Sequence, residues 1–144
     1  MILQLKKDMS IRPDLFDLTG SIDNQTVDAY LEQESRLPPE LLHMWREVGG
    51  GELFETETLL SPAGSSVLGD DIVSVNTFHH RRGLSTQYIV FHVGVGGLTA
   101  YDKKEDVICQ LDSERYDIIA TFPSLDVWYS EVLHGEYARR YGLE

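Results

Sequence analysis

Cysteine is nearly missing from this chain of 144 residues. A single thiol, Cys109, leaves no intrachain disulfide and no cysteine-rich zinc site. Long apolar runs are missing too: nothing approaches the roughly 18 consecutive apolar residues that mark a membrane-spanning helix. The opening stretch MILQLKKDMSIRPD puts Lys6 and Lys7 where a signal peptide carries its apolar core, so the expected location is the cytoplasm. Positive charge is scarce, with 12 Lys and Arg against 24 Asp and Glu, a formal net of −12. Such a surface repels phosphate backbones and anionic lipid heads and attracts a basic protein. Acidic surfaces also serve solubility alone.

What is present is ordinary for a globular domain: 42% hydrophobic and 25% charged residues. The length suits one domain that buries roughly 70% of its unfolded surface. No internal repeat, low-complexity tract or linker divides it. The most definite unit is Leu37 to Phe54, LPPELLHMWREVGGGELF. Pro39 suits the first helical position, and Glu40 sits at the positive helix end. Leu41, Met44, Trp45 and Val48 then recur on one stripe. Gly49-Gly50-Gly51 ends the helix, since a glycine just past it adopts the left-handed conformation without a Cβ penalty. Glu52-Leu53-Phe54 resumes as extended chain.

Elsewhere the pattern is weaker. Met1 to Ile22 alternate poorly around Pro13 and Gly20, and read as an N-terminal extension that packs partially, with the domain proper at residues 23–144. Asp23 or Asn24 caps a helix from about Gln25 to Glu34. A strand is expected near Thr58 to Leu60, and Ser61 to Ser66 form a loop by their turn residues. Asp70-Asp71 open a short helix or irregular turn carrying Ile72, Val73, Val75 and Phe78, which Gly83 stops. Tyr88 to Val93 is apolar on both faces, the mark of a central strand. Gly96-Gly97 is a hairpin signal, Leu98 to Asp102 the return strand, Lys103-Lys104-Glu105 a second turn, and Val107 to Leu111 completes a meander. Pro123-Ser124 begins a helix with Leu125, Trp128, Tyr129, Val132 and Leu133 as its core stripe, interrupted by Gly135 before a last turn to Gly142. The expected architecture is α+β: a single domain with an antiparallel meander packed against N-terminal and C-terminal helices.

These same motifs resemble the SUKH superfamily, whose members include a yeast cell-wall assembly regulator and many bacterial immunity proteins. The Leu-Pro-x-x-Leu helix with its aromatic and terminal glycines resembles the front half. The Tyr88–Val93 strand, the Gly94–Gly97 turn, the Tyr101-Asp102 pair and the final helix after Phe122 resemble the back. The likeness covers Thr26 to Leu133, about three quarters of the chain. It implies the same α+β fold, and a polymorphic-toxin immunity protein, or a regulatory scaffold without a toxin, as the function.

Signals for chemistry are thin. Gly94-Val95-Gly96-Gly97 leads into a strand rather than a helix and lacks the Lys-Ser/Thr of a phosphate loop, so it reads as a hairpin turn. His79-His80 point in different directions and two ligands do not close a zinc site; His79 to Arg82 read as a solvated basic knuckle. His43 and His92 join them only if the fold converges them. Cys109 sits mid-strand as a small hydrophobe. No Gly-x-Ser-x-Gly elbow surrounds a serine, and no spacing singles out an acid/base pair. Neither enzymatic activity nor a metal or other cofactor is expected.

The charge, by contrast, is uneven. Leu37 to Ile72 hold seven acids against one base, a net of −6, while Val73 to Leu111 have a net of +1. This points to a docking face of Glu52, Glu55, Glu57, Asp70 and Asp71 on a monomer that neutralises a basic toxin, for example a nuclease, by covering its active site. The bland alternative is a solvated edge.

Overall fold

The computed structural model describes residues 1–34 and 36–144. Its spine is a seven-stranded sheet whose strands are all antiparallel and lie side by side in chain order. They are β1 (Phe16–Leu18), β2 (Gly51–Leu53), β3 (Glu57–Leu59), β4 (Tyr88–Gly94), β5 (Gly97–Asp102), β6 (Val107–Leu111) and β7 (Ile118–Phe122). Helices α1 (Ile2–Ile11), α2 (Asn24–Gln33), α3 (Pro39–Glu47) and α4 (Ile72–Arg81) interleave with the first four strands. After β7, α5 (Leu125–Trp128), a π-helical segment (Tyr129–His134) and α6 (Gly135–Tyr141) run on as one helical rod. The chain is therefore one α+β domain built on a meander.

The Leu37–Phe54 unit forms as its sequence indicates. Leu41, Met44 and Trp45 are fully buried, and the Trp45 indole N–H donates to the Leu60 carbonyl at 3.0 Å. Gly49, at φ +78°, turns the chain out of α3. Asp23 caps α2 through the Thr26 N–H, Asp71 caps α4, and Ser124 caps α5 through the Val127 N–H. Trp128 is as deeply buried as Trp45, its ring edge-on to Phe91 and His92.

A β-bulge between Val90 and His92 shifts the register of β4 on β5, and beyond it His92 and its neighbour Val93 alternate onto opposite faces. The C-terminal rod covers the His92 face. Helix α4 lies by the other, where Val93 lines a hollow with Val75 and Phe78. Helix α4 also seals β4 where β3 stops short. Asn76 pairs with Val90 as a strand would, donating to its carbonyl and accepting from its N–H, both at 2.8 Å. His80 donates to the Tyr88 carbonyl at 2.9 Å.

Several expectations need correction. Met1 to Ile22 are not a partly packed extension: they supply α1 and β1 and bury Met1, Leu5, Leu15 and Ile22 in the core. The meander does not end at Leu111, because β7 pairs along β6 from Phe122 to Ile118. The β4–β5 hairpin turns at Val95-Gly96, with Gly94 and Gly97 as its closing pair. Gly135 continues the rod in right-handed helical geometry, straight on from the π segment, rather than interrupting it. The segment after Asp71 is a regular helix, α4, on which Val73 and Phe78 face solvent. His79 is buried, not solvated, and shares a 2.9 Å hydrogen bond with the Tyr116 hydroxyl. Burial, then the nearby charges of Arg82 and His80, push its pKa below the ordinary value.

Candidate functional site

The five acids expected on one docking face are dispersed. Glu52 is exposed at the centre of β2, and Glu55 is exposed on the turn that closes the β2–β3 hairpin. Glu57 and Asp70 are buried, Glu57 against the cavity beside the C-terminal rod and Asp70 against the groove that Asp17, Glu52 and Leu68 line. Asp70 accepts the Ser65 N–H at 2.7 Å and so holds its own loop together. Asp71 is half-buried, and its carboxylate accepts from the N–H groups of Val73 and Ser74 and from the Ser74 hydroxyl, the work of a helix cap. Sequence distinguishes none of these fates, because each depends on partners that folding brings in.

One exposed acidic pair does form, and half of it was missed. Asp17 on β1 stands directly opposite Glu52 on β2. Like charges facing each other across antiparallel strands destabilise the pair. Among the described residues no Lys, Arg or His reaches either carboxylate within salt-bridge distance. Leu68, from the loop between β3 and α4, closes a groove of about 260 Å³ with Asp17 and Glu52. Leu68 and its neighbour Val67 are 74% and 91% exposed. Apolar side chains this open beside uncompensated acids are what a basic, partly apolar partner surface would cover.

The strongest constellation of titratable groups is buried instead. Glu57 Oε1 accepts from His92 Nε2 at 3.1 Å, and Oε2 accepts from the Val95 N–H at 3.1 Å and the Tyr137 hydroxyl at 3.3 Å. His92 Nδ1 lies 2.8 Å from the Thr99 hydroxyl. Burial pushes the Glu57 carboxyl up, but the hydrogen bond and charge of His92, with Val95 and Tyr137, outweigh it and hold its pKa below the ordinary 4.5. Close approach explains Gly94: a Cβ there would fall 2.2 Å from Glu57 Oε1. Hydroxyl, imidazole and carboxylate line up as in a hydrolase triad, but the order is unsuitable. Thr99, the only nucleophile candidate in it, is 1% exposed, whereas the carboxylate end borders the open cavity.

A second buried carboxylate, Asp8 on α1, accepts from Tyr129 at 2.8 Å, Gln4 at 2.9 Å and His134 at 3.0 Å. The π segment makes this possible, since its wider turn stacks residues five apart and Tyr129 and His134 are five apart. Burial, then the Asp8 charge, push the Tyr129 pKa up. Cys109 is buried, and desolvation raises its thiol pKa to about 11, far from an activated nucleophile. Among the described residues no three His, Cys, Asp or Glu side chains converge as metal ligands, and no helix is long and apolar enough to cross a membrane. Compared with known proteins, the chain matches no family model and no curated protein.

Proposed function

We propose that this protein is a non-enzymatic binding domain that neutralises a basic protein by covering its working surface, as an immunity protein covers its toxin. The observation that carries the reading is the exposed Asp17–Glu52 pair beside Leu68. Two carboxylates held opposite each other cost stability, and a cationic partner surface would offset that cost. The docking face is therefore smaller than the sequence suggested. Glu52 remains in it with Asp17, Leu68 and Val67, Asp70 lies buried at the wall of the same groove, Glu55 flanks it on the hairpin turn, and Glu57 and Asp71 leave it. The toxin assignment rests on the SUKH resemblance, which also names the partner class.

An acidic patch with an apolar knuckle suits occlusion of a nuclease-like cleft, where the protein's carboxylates stand in for the anionic substrate. Neutralisation then needs no catalysis by this chain. The test is co-expression with a toxic basic protein that the wild type binds. Wild type should restore growth, and Glu52→Lys combined with Leu68→Asp should not, while the purified variant still melts as a folded protein. Full protection by that double variant would remove the face from the account.

A further inference from the structure

A cavity of about 260 Å³ opens between the end of the β4–β5 hairpin and the C-terminal rod, away from the Asp17–Glu52 face. Its polar wall is Glu57, His92, Gln110, Glu136 and Tyr137, and its apolar wall is Val95, Val132 and Leu133. The donors on that wall are engaged except for the second Nε2 N–H of Gln110. His92 Nε2, the Val95 N–H and the Tyr137 hydroxyl all point at Glu57, and Gln110 Nε2 donates to the Gly96 carbonyl at 3.0 Å. Beyond that one amide N–H, what remains is acceptor capacity: the amide oxygen of Gln110 and the Glu136 carboxylate, whose nearest cation is Arg140 at a loose 3.8 Å. A pocket that offers acceptors at one wall and aliphatic carbon at the other selects a donor head on an alkyl stem.

We propose that this cavity is a binding site for an alkylguanidinium or alkylammonium group. The head lies between Glu136 and the Gln110 oxygen, with the Glu57 carboxylate behind them, and the stem lies along Val95, Val132 and Leu133. Guanidinium matches best, because its planar fork donates to two acceptors at once. The cation comes either from a free small amine or from an arginine or lysine side chain of a protein. The site does not depend on the immunity reading, and its failure would leave the Asp17–Glu52 face untouched.

The experiment is a heteronuclear NMR titration of the full chain with n-butylguanidinium, and with n-butanol as the uncharged control. Saturable shifts are expected at the Val95, Gly96 and Gln110 amides, with a dissociation constant of about 1 mM, and n-butanol should give none. Glu136→Gln changes an exposed residue, so it should stay folded and weaken binding roughly tenfold. A second arm uses N-acetylarginine methylamide. Binding equal to n-butylguanidinium assigns the cation to a protein side chain, and binding of n-butylguanidinium alone assigns it to a free amine. No saturable shift up to about 20 mM, an equal response to n-butanol, or unchanged affinity in Glu136→Gln would overturn the proposal.

Discussion

Two buried carboxylates flank the C-terminal rod, and they are alike in almost everything except what lies beside them. Asp8 reaches the rod from α1 and Glu57 from β3. Each is nearly inaccessible, accepts from a tyrosine of the rod and has a histidine within 3.1 Å. Asp8, however, is 0% exposed and borders none of the hollows described above, whereas Glu57 forms a wall of one. The first is a sealed strut tying the N-terminal helix to the end of the chain. The second has solvent-accessible space in front of it, and that space makes a ligand conceivable. Burial and hydrogen bonding alone do not mark a site; an adjoining cavity with unused polar capacity does.

That contrast can be broken by mutation. The largest effect is expected for Asp8→Ala, which strands the Tyr129 hydroxyl, His134 and Gln4 without an acceptor and should cost about 3 kcal/mol in a denaturant melt. A loss below about 1 kcal/mol would show that water reaches the strut. Glu57→Gln keeps the shape and one of the two acceptor oxygens beside an open cavity, so about 1–2 kcal/mol is expected at neutral pH. It should also change the acid limb. The folded Glu57 pKa lies below its ordinary value of 4.5, so its contribution is fully present above 4.5 and disappears as pH falls through the folded value. Wild type should therefore lose stability below pH 4.5 more steeply than Glu57→Gln; parallel curves from pH 6 to pH 3, as roughly bounding values, would contradict this. The smallest pair is Tyr129→Phe against Tyr137→Phe. Removing the Tyr129 donor from the sealed carboxylate should cost about 1.5 kcal/mol, and removing Tyr137 about 0.5 kcal/mol, because Thr56 and water can replace it. Equal costs would erase the distinction between strut and site.

Much of the frame was legible because it is local. The Leu41, Met44, Trp45 and Val48 stripe, the Gly49 stop, the two-faced apolar run of β4 and the Ser124 cap each rest on a few neighbouring residues. Helix α1 was not legible, because its buried stripe runs from Leu5 to an acid, Asp8, whose partners Tyr129 and His134 lie more than 120 residues away. Strand β7 did carry a signal in the β-branched Ile118-Ile119, but as an edge strand with both exposed it shows no alternation. The acidic segment from Leu37 to Ile72 was visible as charge, yet charge does not say which carboxylates face water. Glu57 and Asp70 look identical to Glu52 in sequence, and they differ only through His92, Tyr137 and the Ser65 amide. Asp17 lay outside that segment, and only the β1–β2 register brings it to Glu52.

The central claim is that the Asp17–Glu52 face steers a basic partner, and association kinetics test it most directly. Wild type and the Asp17→Lys/Glu52→Lys variant are compared by surface plasmon resonance against a basic protein that the wild type binds, at about 50 and about 500 mM salt. The account predicts that the variant associates roughly tenfold more slowly at low salt, that the gap narrows at high salt, and that dissociation changes far less. An association rate unchanged by the charge reversal at both salt concentrations would contradict it.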